Sequence, residues 1–289
     1  MDINNVYQYA WLSTYQLIIS PEGDRECREL AGWGSGFFLS HNGRYFFVTA
    51  DHNLHMRDHE EGERTGVENH LFIYNNITDQ EKMASILTPM GNFYFYDRYD
   101  CSPLFDSETN PEDVDAEVLA IPDLIDIAFC EVQNNIERPF LTHELAIEES
   151  VLVPAGEQKI IIPSEMITEP SEDCVYLVEG VVQNEIKGIL NLRRNAIHQD
   201  LTYAGSKYGD YLFDYPNVVK YEEWAAISGA PLFDNQYRLV GMVVQVNEHT
   251  NQIQVVPARK IVSLIEQQLK IDNFGKLESS HNEKETTME

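Results

Sequence analysis

The sequence predicts an all-β chain in two β-rich halves closed by one helix. Short runs of β-branched, aromatic and apolar residues recur along it, bounded by Gly, Pro, Asn and Asp, which is the pattern of strands and turns. A chain of 289 residues is long enough for one large or two small cores. Near the end, Ile261, Leu264, Ile265 and Leu269 recur at helical spacing, so 258–269 is an amphipathic helix.

In chain order, the apolar stretch Val6 to Ile19 predicts a first strand, and the polar run Pro21 to Arg28 a turn. Gly32 to Ser40 and Tyr45 to Thr49 predict two strands joined by the hairpin turn His41-Asn42-Gly43, with His41 a turn residue. Residues 55–68 (HMRDHEEGERTGVE) are expected as a solvated polar loop, followed by strands at His70 to Tyr74, Met83 to Leu87 and Asn92 to Tyr96. The acidic stretch Asp97 to Glu117 is expected as an exposed insertion before an apolar strand that Asp126 opens. Gln133 to Arg138 starts a linker. The second half predicts strands at Val151 to Val153, Lys159 to Ile162, Cys174 to Val182, Gly188 to Leu192, Tyr211 to Asp214, Leu239 to Val246 and Ile253 to Val256. The division is therefore 1–135, 136–272 and a polar tail, 273–289, expected to be without order.

A net charge of −28, with no cluster of Lys or Arg, argues against a nucleic-acid partner and favours solubility or basic partners. The first twenty residues lack the charged start, apolar core and small-residue cleavage site of a signal peptide. No run approaches the roughly 18 apolar residues of a membrane span. The four cysteines are scattered without CxxC spacing, and with neither a signal peptide nor a membrane span a cytoplasmic, non-membrane protein is expected. His52, His55 and His59 with Asp51 and Asp58 offer metal-ligand residue types, but H-E-x-x-H and other zinc spacings are missing. No metal and no cofactor are expected.

The chemistry concentrates in Trp224-Ala225-Ala226-Ile227-Ser228-Gly229-Ala230-Pro231. A serine in a tight small-residue turn has backbone amides beside its hydroxyl that can hold an oxyanion. Ser228 needs an imidazole to take its proton and a third group to fix the imidazole tautomer. His52, at the end of an apolar strand, and Asp126, preferred over Asp123 because Asp126-Ile127-Ala128-Phe129 directly opens its strand, supply them. The order His, Asp, Ser differs from the α/β-hydrolase order and its G-x-S-x-G elbow.

These three stretches, Thr49-Ala50-Asp51-His52, Asp126-Ile127-Ala128 and Ala226-Ile227-Ser228-Gly229-Ala230-Pro231, resemble the T-A-x-H, D-I-A and G-x-S-G-x-P patterns of the chymotrypsin-like (trypsin-like) serine peptidases, over roughly residues 5 to 270. The resemblance implies a chymotrypsin-like double β-barrel with a C-terminal helix and an endopeptidase with catalytic His52, Asp126 and Ser228. It also implies an oxyanion hole from the backbone of Ala226 and Ser228. Ala226 stands where the family has glycine, which strains or collapses the hole. Ile227 replaces the aspartate that pairs with a newly cut N-terminus in digestive members, so the chain resembles the bacterial and intracellular branch without that activation. By the same resemblance Glu222, six residues before Ser228, is the base of a primary pocket favouring Lys or Arg, unless it is a plain surface glutamate. Val244, Gln245 and Val246 form the pocket wall and the edge on which a peptide pairs, Val246 narrowing a place usually held by glycine. The expected partners are a specific protein or peptide substrate and a regulatory protein or trigger. The alternative is a pseudoprotease that uses the same scaffold as a binding or regulatory module, Ala226 marking a lost oxyanion hole.

Overall fold

The computed structural model describes residues 3–79, 84–97, 124–133, 144–148, 151–186, 190–220, 224 and 226–286. The N-terminal unit consists of α1 (Ile3–Ser13), β1 (Tyr15–Ser20), β2 (Gly32–His41), β3 (Arg44–Thr49), the short helices α2 (Asp51–Leu54) and α3 (Met56–Glu61), β4 (His70–Asp79), β5 (Ala84–Met90), β6 (Tyr94–Asp97) and β7 (Leu124–Val132). A small hairpin, β8 (Leu145–Glu148) with β9 (Val151–Val153), and β10 (Ile162–Pro163) follow. The C-terminal unit is β11 (Val175–Ile186), β12 (Leu190–Lys207), β13 (Asp210–Asp214), β14 (Pro231–Asp234), β15 (Leu239–Asn247), β16 (Gln252–Pro257) and α4 (Ala258–Thr286).

The first unit is a sheet in the order β5-β4-β1-β2-β3-β7-β6, antiparallel along this path, with β10 added parallel to β2. The second closes as the barrel β11-β12-β13-β16-β15-β14. This is the all-β, two-unit architecture with a C-terminal helix that the sequence predicts. The first unit is a half-barrel, since β5 and β6 do not pair with each other among the described residues.

Alternation along the strands sorts the cores. Phe38, Phe47, Ala128 and Cys130 point into the first unit's own core with Tyr15 and Leu17. Their neighbours Phe37, Leu39, Phe46, Val48, Ile127 and Phe129 point the other way, into a shared core with Leu177, Phe233 and Met242 of the second unit. Ile261, Leu264 and Ile265 of α4, all fully buried, seal that shared core, so the period read from sequence marks the face that packs. The β2–β3 hairpin turns at Asn42 and Gly43, both at positive φ (50° and 74°), as an Asn-Gly turn requires.

Several elements differ from expectation. The stretch from Val6 to Ile19 is a helix and then a strand. Val6 and Ala10, one helical turn apart, both bury in the shared core, and Trp11 and Leu12 pack on Val153, so tertiary burial overrides β propensity. Residues 55–68 are a solvated loop only in part: they contain α3, and His55 and Asp58 are buried, while residues 60–63 are exposed. In the stretch from Lys159 only Ile162–Pro163 forms a strand, and α4 continues to Thr286 through much of the expected unordered tail. Most of the acidic insertion (98–117) and most of the linker (134–138) lie outside the described residues.

Lys159, 6% exposed, ties α1 to the second unit. Its Nζ donates to the carbonyls of Trp11 and of Thr14 (2.6 Å) at the C-terminal end of α1 and lies 3.8 Å from the Trp11 ring. Burial, only partly offset by Glu179, lowers Lys159 to about 8. Burial, partly offset by Lys159, raises Glu179 of β11 to about 8. Removing Lys159 leaves the Trp11 and Thr14 carbonyls without their donor and Glu179 without its partner. Lys159→Met is therefore expected to cost about 1–3 kcal/mol in urea unfolding, with part of the loss recovered in the Lys159→Met, Glu179→Leu double variant. A loss below about 1 kcal/mol would mean the cluster does not brace the two units.

Candidate functional site

The imidazole of His52 is placed by two features of the first sheet. β3 pairs with β7 in the register Thr49 to Ala128, which brings the chain just after β3 beside the start of β7. On the other side of β7 the register against β6 shifts between Ile125 and Ala128, and the resulting bulge holds Asp126 and Ile127. The Asp126 carboxylate accepts both the main-chain N–H of His52 (Oδ1, 2.9 Å) and its ring Nδ1 (Oδ2, 2.8 Å). One carboxylate therefore fixes the position of the residue and the tilt of its ring. Burial alone would lower the His52 pKa, but the charge and hydrogen bond of Asp126, with the charge of Asp51, raise it above the ordinary 6.5. Burial would raise Asp126, yet the charge and hydrogen bonds of His52, and the charge of His59, hold its carboxyl below the usual range.

Ser228 sits in the turn between Trp224 and β14, half-buried. The Ile227 N–H closes the turn on the Trp224 carbonyl (3.2 Å), and Ala226 within it has φ +74°. Ala226 thus adopts the left-handed backbone that glycine takes freely and alanine takes at a cost of about 1–2 kcal/mol. Ile227 is fully buried in the barrel interior with Val178, Trp224 and Ala230. The Trp224 ring stacks on His198 (3.7 Å, 18°) and meets Tyr215 edge-on (5.1 Å).

The first unit holds this turn at three points. The Ser35 N–H and the Asn53 side-chain amide both donate to the Ser228 carbonyl (2.9 and 3.1 Å), and the Ser35 hydroxyl donates to the Ala226 carbonyl (2.7 Å). Gly229, at φ +93°, lies so close to β2 that a Cβ there would stand 1.9 Å from the Ser35 carbonyl oxygen, so only glycine fits. Asn53 directly follows His52 and also bonds the Thr49 hydroxyl (2.9 Å), which donates to the Ser35 carbonyl (2.7 Å). The structure therefore places Ser228 and the His52–Asp126 pair against one hydrogen-bonded junction. Among the described residues the Ser228 hydroxyl, His52 Nε2 and the N–H groups of Ala226 and Ser228 make no protein hydrogen bonds.

Asp51 and its neighbours form a buried cluster that sequence reasoning did not find. Asp51, fully buried, accepts from His55 Nδ1 (2.8 Å), His59 Nε2 (2.9 Å) and Arg64 Nη1 (2.7 Å). Its carboxyl lies far below the usual range because those hydrogen bonds and the Arg64 charge outweigh the effect of burial. Arg64 reaches on to Asp97 at the end of β6 (2.9 Å), and His59 Nε2 lies 3.9 Å from Asp126 Oδ1. Two of the three histidines that offer metal-ligand chemistry, His55 and His59, thus turn a nitrogen to Asp51. The signal available in sequence was the spacing of four between Asp51 and His55 on one helical face.

Of the proposed substrate contacts, Val244 is buried, Gln245 exposed and Val246 half-buried on β15. β14 pairs with β15 no further than Met242, and Val243 bonds Gly229 and Ala230, so among the described residues 244–247 pair only with β16. A register shift places Val244 at a bulge. Gln245 and Val246 border a groove of about 430 Å³ with Lys207, Tyr208 and Gln254, to which neither His52 nor Ser228 contributes. Glu222 lies outside the described residues.

No protein-family model matches the chain, and no curated protein matches its sequence. Among solved structures it is similar to the serine endoprotease from Yersinia pestis (11% identity, 93% of this chain and 67% of that one, TM-score 0.48). It is also similar to the MamO protease domain from Magnetospirillum magneticum (14% identity, 89% and 97% of the two chains, TM-score 0.42). A third is neuropsin, a serine protease expressed in the limbic system of mouse brain (12% identity, 90% and 95%, TM-score 0.46).

Proposed function

We propose that the chain is a serine endopeptidase in which Ser228 is the nucleophile, His52 the general base and then acid, and Asp126 the residue that orients His52. One observation carries this assignment: a single carboxylate grips His52 at both its main-chain N–H and Nδ1, while the neighbouring Asn53 grips the Ser228 carbonyl. With Nδ1–H committed to Asp126, neutral His52 keeps the tautomer whose Nε2 has a free lone pair. That nitrogen takes the Ser228 proton as the serine oxygen attacks the scissile carbonyl carbon, and Asp126 stabilises the imidazolium. The N–H groups of Ala226 and Ser228 receive the negative oxygen. Collapse expels the amine, which takes the proton from Nε2, and water repeats the sequence on the acyl-serine.

The substrate is proposed to be a specific protein cut after a basic residue, with Glu222 as the pocket base and Val244, Gln245 and Val246 as wall and pairing edge. Support comes from the β15 edge left unpaired toward β14 and from the net charge of −28. A cytoplasmic, bacterial-type enzyme under the control of a partner or trigger is the setting we propose. It is consistent with buried Ile227, which offers no carboxylate to a cut N-terminus, and with free Cys27, Cys130 and Cys174. Among the described residues no helix is long and apolar enough to cross a membrane. The pseudoprotease alternative draws on one observation, the missing hydrogen bond between His52 Nε2 and the Ser228 hydroxyl.

Three outcomes are expected. A fluorophosphonate probe labels the purified protein at Ser228, Ser228→Ala abolishes the label, and Asp126→Asn slows it by up to about 10⁴-fold. A folded wild type that stays unlabelled would favour the binding module. The labelling rate falls toward acid pH with a midpoint above 6.5, because protonated His52 cannot accept a proton. Asp126→Asn moves that midpoint down, and an unmoved midpoint would show that Asp126 does not govern His52. Ala226→Gly relieves the left-handed alanine and raises stability by about 1 kcal/mol in urea unfolding without slowing labelling. Slower labelling in that variant would mean the Ala226 methyl itself contributes to the site.

A further inference from the structure

The nucleophile turn is held from the first unit at Ser35 and Asn53, and from below by the barrel. Its barrel-side anchor is Ile227, whose flanking residues Ala226 and Ser228 carry the two N–H groups that are unbonded among the described residues. Ile227 packs directly over Gly180 of β11. A Cβ built on Gly180 would lie 2.6 Å from Ile227 Cγ1 and 3.3 Å from its Cα. Gly180 does not lie in the left-handed region, so the demand at this position is for space. Side chains at 179 and 180 leave β11 on opposite faces. Gly180 therefore receives Ile227 from inside the barrel, while Glu179 faces the other way, toward Lys159 and the Thr14 hydroxyl at the end of α1. β11 is clamped between the inter-unit brace on one face and the nucleophile turn on the other.

From this geometry we propose that Gly180 is a positioning residue for the oxyanion-binding turn: its missing side chain is the socket that seats Ile227 and so sets where the N–H groups of Ala226 and Ser228 point. The proposal deepens the serine-peptidase assignment and rests on it for the purpose of those N–H groups, but not for the packing. Charge has no part in this seat. The seat is a buried apolar side chain in a recess that only a missing Cβ leaves open.

The test uses the full chain as wild type, Gly180→Ala, Ile227→Ala and the double variant. Each is followed by fluorophosphonate labelling kinetics, by the amide resonances of Ala226 and Ser228, and by thermal melting. In Gly180→Ala the new methyl displaces Ile227. The maximal labelling rate is expected to fall at least tenfold with the probe's half-saturating concentration little changed, and the two amide resonances to move. The double variant, which removes Cγ1 from the filled socket, is expected to regain several-fold in rate and to return the resonances toward wild type. A merely structural glycine would lower the melting temperature and leave the rate per folded molecule and both resonances unchanged, and that result overturns the proposal. If Gly180→Ala does not fold, Ile227→Val, which withdraws one methyl from the socket, is read in its place. A rate lowered a few-fold with shifted amides supports the socket, and an unchanged rate with unchanged amides overturns it. If the wild type is not labelled at all, the peptidase assignment fails by itself. The amide resonances of the same variants then still decide whether Gly180 positions the turn.

Discussion

Everything at this site depends on how the two β units meet at Ser35. That residue donates its N–H to the Ser228 carbonyl and its hydroxyl to the Ala226 carbonyl, and its own carbonyl takes the Thr49 hydroxyl while lying against Gly229. The His52–Asp126 pair belongs to one unit and Ser228 to the other, so neither folds into a site alone. A main-chain hydrogen bond contributes only about 1 kcal/mol net. The junction is fixed less by those bonds than by the shared core beneath it, where Phe37, Phe129, Phe233, Met242 and Leu264 come from β2, β7, β14, β15 and α4. Each such side chain buried contributes about 1.5–3 kcal/mol. Apolar burial holds the units together, and the Ser35 bonds select the register in which they meet.

Around His52 the electrostatics are layered. Asp126 faces the ring and Asp51 lies directly before it in the chain, so two carboxylates lie close to one imidazole. Left uncompensated, a fully buried Asp51 would protonate or open the structure. Arg64, His55 and His59 supply its hydrogen bonds, and Arg64 carries the compensating charge. The consequence is mechanical as well as electrostatic: Arg64 also binds Asp97 of β6, the strand against which β7 bulges to expose Asp126. The polar segment after His52 therefore braces both members of the pair. The two buried carboxylates there, Asp51 and Asp58, each accept from several donors, while Glu60, Glu61, Glu63 and Glu68 face solvent.

Much of this was legible in the sequence, and the reason differs from element to element. Strand alternation and the Asn42-Gly43 turn are local signals, and each fixed its element because backbone preference and burial agree there. Ile261, Leu264 and Ile265 were legible because a helical period over an apolar face has one solution. The first helix was misread because Val6, Tyr7, Tyr9 and Trp11 favour strands by composition, and only the partners Phe233 and Val153, far along the chain, reveal which face is needed. His52, Asp126 and Ser228 stood out because their chemistry demands those residue types. Ser35, Asn53, Gly180 and the Asp51 cluster did not, because a hydrogen bond across 175 residues, or a cavity for one isoleucine, leaves no trace in local pattern.

The turn that carries Ser228 shows how such distant terms decide a local conformation. By itself Ala226 resists its φ of +74° at a cost of about 1–2 kcal/mol, which argues for a collapsed turn. Ile227, one residue on, is fully buried in the barrel, and that contributes about 1.5–3 kcal/mol in the opposite sense. The Ser35 hydroxyl on the Ala226 carbonyl adds about 1 kcal/mol more and is made only when that peptide is oriented as seen. The sum favours the formed turn with no charged partner and no glycine at position 226. An alanine at this position is therefore compatible with the turn as formed, provided its neighbour keeps its seat on β11.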